Sequence, residues 1–241
     1  MEYLKMIKFW QKNWFGIEFD SFIKVNPYKQ ANEEFYDKFY KEFFNKFHSY
    51  EELPMNWKQD KKVLADFIFE QIKDKQKVLS IGCGSGFIET ELSKKWGGEL
   101  MAIEPSQNAS KWIQDNHNIK LINGYFPNCL FGDEKFDFAY MSYIDYVFED
   151  KLYINILKDI KKYPIDNFLL IGASVYTPNL KQTIKYFIKI FMIMVRAYRQ
   201  QLWGYQRTIE EHLALFQKAG YKNLEYGKLE NGVYWIRAKN E

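Results

Sequence analysis

The chain has 241 residues, 47% of them hydrophobic, which suits one α/β domain with an N-terminal extension and allows a sizeable core. Its net charge of +3 is divided among interspersed acids and bases, which excludes the broad basic footprint of a nucleic-acid-binding protein. Cys83 and Cys129 show neither paired spacing nor a metal-ligand pattern, so no metal is expected and a reduced, cytoplasmic setting is.

The first 24 residues alternate aromatic side chains with lysines, as an amphipathic helix or an extended arm turning at Gly16 would; Lys5, Lys8 and Lys12 interrupt any apolar core of signal-peptide length. Asn26-Pro27 breaks the chain. Phe35, Phe39, Phe43 and Phe47 recur every four residues and predict a helix over 32–47. After Leu53-Pro54, Val63, Leu64, Phe67, Ile68 and Ile72 predict a second helix from about Lys58 to Ile72. Residues 1–57 therefore read as a helical cap ahead of a domain over 58–241.

Lys77 to Leu92 organises that domain. Val78, Leu79 and Ile81 make a short buried strand, a helical pattern begins after Gly86, and Gly82, Gly84 and Gly86 form a turn that lets backbone approach a ligand. The spacing is G-x-G-x-G with Phe87 following, not the dinucleotide fingerprint G-x-G-x-x-G. A second strand, Glu99 to Ile103, ends at Glu104-Pro105-Ser106. Glu104 lies 18 residues beyond Gly86, near the spacing at which an acid accepts hydrogen bonds from ribose hydroxyls. Ser106 is expected to cap a helix running to about Asn116. Further strands are predicted at Lys120–Ile122, Lys135–Ser142 and Phe168–Ala173, with a helix at Leu152–Lys161. Over 178–203 a wide apolar face carries a stripe of Lys181, Lys185, Lys189, Arg196 and Arg199, with Tyr198 on the apolar side. Lys189 interrupts any membrane span. Such a helix fits packing over an active site, a homodimer interface or a membrane surface. Thr208 with Glu211 forms a capping-box pattern, Gly220 stops that helix, and Asn231-Gly232 joins two closing strands.

From about Lys58 to Lys239 the sequence resembles the class I S-adenosylmethionine-dependent methyltransferases, through the glycine loop, the Glu104 spacing, and the late helix with its hairpin. The resemblance implies a seven-stranded, mostly parallel sheet with a C-terminal antiparallel hairpin, helices on both faces and N-terminal helices closing over the site. It implies a donor site at Ser80, Gly82, Cys83, Gly84, Gly86, Glu104, Pro105, Ser106, Gly124, Tyr125, Phe126, Met141 and Ser142. Ser80 stands where the family's first motif carries an acid, and Tyr125 where an acid often meets the adenine. The methionine end of the donor is then held partly by other groups, from the N-terminal aromatic helices.

The implied activity is methyl transfer from S-adenosylmethionine, leaving S-adenosylhomocysteine, to a small molecule, by preference on oxygen, with a sugar- or phosphate-bearing precursor among the acceptors. Tyr36, Tyr40, Tyr143 and Tyr146 are candidate substrate contacts. A hydroxyl acceptor often needs a base; His48, beside the aromatic helix, and Asp145, beyond the fourth strand, are the candidates, although Asp145 equally suits a helix cap. His117 and His212 read as exposed and structural, and Asp137 as structural. The other readings are a nicotinamide-dependent oxidoreductase and a non-catalytic module on the same fold.

Overall fold

The computed structural model describes residues 4–130, 134–195 and 199–239. Its strands are β1 (Met6–Gln11), β2 (Asn13–Trp14), β3 (Ile17–Glu18), β4 (Lys77–Ile81), β5 (Glu99–Glu104), β6 (Ile119–Asn123), β7 (Phe138–Ser142), β8 (Asn167–Ala173), β9 (Gln201–Arg207), β10 (Leu224–Lys228) and β11 (Tyr234–Lys239). The helices are α1 (Glu33–Lys46), α2 (Met55–Ile72), α3 (Phe87–Ser93), α4 (Asp150–Lys162), α5 (Leu180–Met194) and α6 (Ile209–Lys218).

Seven strands form the central sheet in the order β10-β11-β8-β7-β4-β5-β6. The strands β8, β7, β4, β5 and β6 run parallel, and β11 joins β8 antiparallel through the closing hairpin. The parallel strands are apolar on both faces because helices cover both: α4 and α6 lie over one core, α2 and α3 over the other. The strand order places β4 between β5 and β7, so ligands meet the crevice at the carboxyl ends of these three strands. Asp137 ties the sheet together at the opposite end. Its Oδ2 accepts from Gln76 N and Lys77 N at 2.8 and 2.9 Å, and those two bonds hold its carboxyl below the usual range.

The N-terminal arm takes the extended alternative. β1 pairs antiparallel with β9, some 200 residues away in sequence, and β2 and β3 turn through Phe15 and Gly16, both at positive φ. The two-residue turn sends Trp14 into a stack with Phe39 of α1 (centroids 4.9 Å apart), and Phe19, Phe35, Phe39 and Phe43 are all buried around it. The period-four phenylalanines are thus the core of a cap.

Three predicted elements need correction. The insertion over 178–203 is helical only to Met194, and Gln201–Arg207 is strand β9; Arg196 and Tyr198 lie outside the described residues. Both faces of β9 are buried, which removes the alternation that marks a half-exposed strand. The helix expected after Ser106 reduces to turns and one 3-10 turn at Lys111–Ile113. Ser106 Oγ does accept from Ala109 N (3.1 Å), but Ile113 then packs against Gly86, so closely that a Cβ there would lie 2.3 Å from its Cγ2. Half of the predicted capping box also fails to form. Thr208 Oγ1 accepts from Glu211 N, whereas Thr208 N donates to Lys5 O, joining the arm to α6. Thr208→Ala should therefore cost about 1 kcal/mol, read as a lower urea midpoint with an unchanged slope.

Candidate active site

A cavity of about 610 Å³ opens at the carboxyl edge of β4, β5 and β7, under the cap. The glycine loop is its floor. Gly82, Gly84 and Gly86 have φ of 76°, 56° and 73°, the left-handed region that favours glycine. A Cβ on Gly84 would also lie 3.0 Å from Tyr40 Oη, so the loop and the cap approach as closely as glycine permits. The cap is tied to the floor by hydrogen bonds: Tyr50 Oη donates to Ser85 O (2.6 Å), Ser106 Oγ to Asp37 Oδ1, and Tyr125 Oη to Glu33 Oε2 (2.7 Å).

Glu104, at the end of β5, lines the cavity. Its Oε2 accepts from Gly84 N at 2.9 Å and its Oε1 from Ser106 N at 3.1 Å, which fixes the carboxyl in place. Burial nevertheless pushes its pKa up to about 7, because the two amide donors only partly replace water.

Behind the loop, the missing acid of the first motif is supplied from elsewhere. Ser80 Oγ donates to Glu89 Oε1 at 2.6 Å, and Tyr140 Oη donates to the same oxygen at 2.8 Å. Glu89 projects from α3, is 2% exposed and lines the cavity. Burial raises this carboxyl's pKa, against the lowering effect of the two hydroxyls.

Lys61 of α2 lines the same wall, with Nζ 3.8 Å from the centroid of the Tyr143 ring. Burial pushes its pKa down to about 7, while the nearby Glu89 pulls it back up. Both residues escaped the sequence reading, yet both left a signal. Lys61 falls on the helical stripe of Trp57, Leu64, Ala65 and Ile68, and Glu89 lies among Phe87, Ile88 and Leu92. Each is a charge on a buried face, where an unpaired charge is rarely found.

Of the residues expected at the site, Gly82, Cys83, Gly84, Glu104, Pro105, Ser106, Gly124, Tyr125, Phe126 and Ser142 line the cavity, as do Tyr36, Tyr40, Tyr143 and Tyr146. Ser80, Gly86 and Met141 lie behind its wall. Tyr36 Oη, beside Tyr146, and Ser142 Oγ are buried at the wall without a partner in hydrogen-bond geometry. Trp14, Phe15, Trp57 and Trp203 also line it, with Trp203 stacked on Tyr146 at 6.1 Å.

Neither candidate base is on the wall. His48 is exposed at the far end of α1, its backbone N–H donating to Glu52 Oε2. Asp145 is fully buried beneath the cavity: its Oδ2 accepts from Ser174 N at 2.9 Å and lies 3.7 Å from Nε2 of the equally buried His212. Burial pushes Asp145 up to about 7 and His212 down to about 3. The pair braces the loop after β7 against α6. Arg207 reinforces it, with Nε on Asp150 Oδ1 (2.8 Å) and Nη2 on Phe148 O.

Comparison with known proteins agrees with this geometry. The family described as a methyltransferase domain matches residues 78–163, the stretch that carries the glycine loop, Glu89 and Glu104. The chain is 26% identical, over 181 residues, to a demethylmenaquinone methyltransferase of Staphylococcus saprophyticus, a match covering 67% of this chain and 77% of that one. Among solved structures it is similar to a candidate O-methyltransferase from Nostoc punctiforme (TM-score 0.60, 14% identity, 86% of this chain). It is also similar to human N-acetylserotonin methyltransferase in complex with S-adenosylmethionine (TM-score 0.58, 12% identity, 87% of this chain). The chain spans 61% and 56% of the lengths of those two proteins, and at such identities the likeness is one of fold.

Proposed function

Because the chain carries a class I S-adenosylmethionine-dependent methyltransferase domain, we propose that it methylates a flat, largely apolar small molecule, on a ring oxygen, inside the aromatic cavity. The observation that carries this reading is the wall itself. Among the described residues its charged members are Glu33, Asp60, Glu89, Glu104 and the single cation Lys61, and thirteen of the others carry aromatic rings. Such a wall repels a phosphate-bearing acceptor and suits a ring. The name of the staphylococcal relative, which points to a quinone, agrees with a ring acceptor.

The residues present fit the donor. Glu104 presents a fixed carboxylate, two of its acceptor sites already used by backbone, and the others suit ribose hydroxyls. The methionine end of the donor carries an ammonium and a carboxylate. Glu89 Oε2 suits the first and Lys61 Nζ the second. When bound, the donor supplies an electrophilic methyl group on its sulfonium, so the protein's work is chiefly alignment. Ser142 Oγ, buried at the wall without a partner, and Tyr36 Oη, beside the Tyr146 hydroxyl, hydrogen-bond the acceptor and orient it. Tyr146, backed by the stacked Trp203, offers an apolar surface to its ring and excludes water.

Incubation with methyl-labelled S-adenosylmethionine and a panel of phenols, hydroquinones and phosphorylated sugars, followed by organic extraction, tests this. Label in the organic phase is expected; label passing instead only to water-soluble phosphorylated acceptors would overturn it.

The titrations of Glu104 and Lys61 give the binding step a pH dependence. As pH falls below about 7, Glu104 gains a proton and loses its charge-assisted acceptance; as pH rises above about 7, Lys61 loses the charge that meets the carboxylate. Affinity for S-adenosylhomocysteine, measured by calorimetry, should peak near neutrality. Lys61→Arg, whose guanidinium stays charged, should abolish the alkaline fall and leave the acid one.

A further inference from the structure

Helix α5 is the least explained part of the surface. Eight of the fourteen exposed large apolar side chains among the described residues lie between Leu180 and Val195. Leu180, Ile184, Phe187, Ile188, Phe191 and Met194 are each more than half exposed. At 100° per residue they fall in one sector about 120° wide. The opposite side of the helix is already occupied: Tyr186, Ile190 and Ile193 pack on Trp10 of β1 and Leu202 of β9. Because strand side chains alternate, the neighbours Phe9 and Trp203 point to the other face of this two-stranded sheet, into the cap cluster and, for Trp203, the cavity wall. The β1–β9 ribbon therefore stands between α5 and the cavity. The helix does not cover the active site, and among the described residues its outer face is left without a structural role.

The charges indicate what covers it. α5 contains Lys181, Lys185 and Lys189 and no acidic residue. The three lysines lie together along one border of the apolar sector, at about 100° to 180° on the same wheel. Lys181 and Lys185 are exposed, and Lys189 Nζ lies 5.3 Å from the centroid of the Trp10 ring. At the end of the helix, Tyr28 is 61% exposed and donates its hydroxyl to Ile193 O, an amphipathic ring at the level of the apolar face. Two copies of such a helix laid face to face would bring lysines of like charge together. An anionic bilayer instead accepts the apolar face among its acyl chains and pairs the lysines with its headgroups, their stems lying along the apolar boundary. No described helix is long and apolar enough to cross a membrane, and α5, at 15 residues, is of a length to lie on one.

We propose that α5 is an interfacial anchor that docks the protein on anionic phospholipid membranes through Leu180, Ile184, Phe187, Ile188, Phe191 and Met194, with Lys181 and Lys185 at the headgroups. The anchor does not depend on the identity of the acceptor or on the donor. It does place the aromatic cavity one strand ribbon away from the lipid, which suits an acceptor dissolved there.

Co-sedimentation with sucrose-loaded vesicles tests it, with no donor present. The wild-type protein should pellet with vesicles of two parts phosphatidylcholine to one part phosphatidylglycerol, and less with phosphatidylcholine alone. Phe187→Ser combined with Phe191→Ser should reduce partitioning roughly tenfold or more, because both rings face outward, and should leave the thermal unfolding profile unchanged. Lys181→Glu with Lys185→Glu should reduce binding to the anionic vesicles selectively. Wild-type protein remaining in the supernatant with anionic vesicles would overturn the proposal. So would a dimer in sedimentation equilibrium that the double serine variant dissociates, since a second copy would then be the occupant.

Discussion

Replacement of Glu104 by alanine is expected to weaken S-adenosylhomocysteine binding by about 100-fold. Hydrogen bonds to a charged group contribute about 1.5–3 kcal/mol each, and about 1.4 kcal/mol corresponds to tenfold. Loss of the carboxylate removes its acceptor sites toward ribose and leaves Gly84 N–H and Ser106 N–H without their partner, so the loop itself loosens. Glu104→Gln retains one acceptor oxygen for those amides and should lose only about tenfold. Calorimetric titration distinguishes the two. Equal affinities for all three proteins would place the ribose elsewhere. The measurement is cleanest above neutral pH, where the wild-type carboxyl, at about 7, is ionised.

Glu89→Gln separates binding from stability. Its carboxylate is buried against Ser80 and Tyr140 with its pKa raised chiefly by burial. A group whose folded pKa lies above its unfolded value binds more protons in the native state. The stability it contributes is therefore present at low pH and lost as pH rises through the folded pKa. At neutral pH, above the ordinary carboxyl range, burial of this ionisable group opposes folding, so the glutamine variant, which accepts from the same two hydroxyls, should melt higher than wild type. If Glu89 meets the donor's ammonium, the same variant should bind S-adenosylhomocysteine about tenfold more weakly. A higher melting temperature with unchanged affinity would assign Glu89 to structure alone. Lower stability together with lower affinity would show that the charge supports the fold itself.

How much could be read in advance follows from the range of the signals. The glycine loop, Glu104 and the closing hairpin are local patterns, each contained within some 20 residues, and each forms where its spacing indicates. The phenylalanines of α1 and the Asn32 cap, whose Oδ1 accepts from Phe35 N, are local as well. What escaped is non-local. β1 meets β9 from opposite ends of the chain, and β9, buried on both faces, has no period of two to reveal it. Asp145, beyond the fourth strand, suited a base and a helix cap equally; only the packing of α6 shows that its carboxylate points at Ser174 and His212, beneath the cavity. Ser80 looked like a lost acid. The acid is present as Glu89, one turn into α3, and the short serine leaves the space for it. The helix over 178–203 fitted packing over an active site as well as a surface role; only the pairing of β1 with β9 places it on the far side of that ribbon from the cavity.

Calorimetric titration of the wild-type protein with S-adenosylmethionine at neutral pH tests the proposed donor site of Gly84, Glu89, Glu104 and Lys61 most directly. Saturable binding of one molecule per chain in the micromolar range is the expected result, weakened by Glu104→Ala and unaffected by Phe187→Ser. An absence of binding at high micromolar concentrations would contradict it.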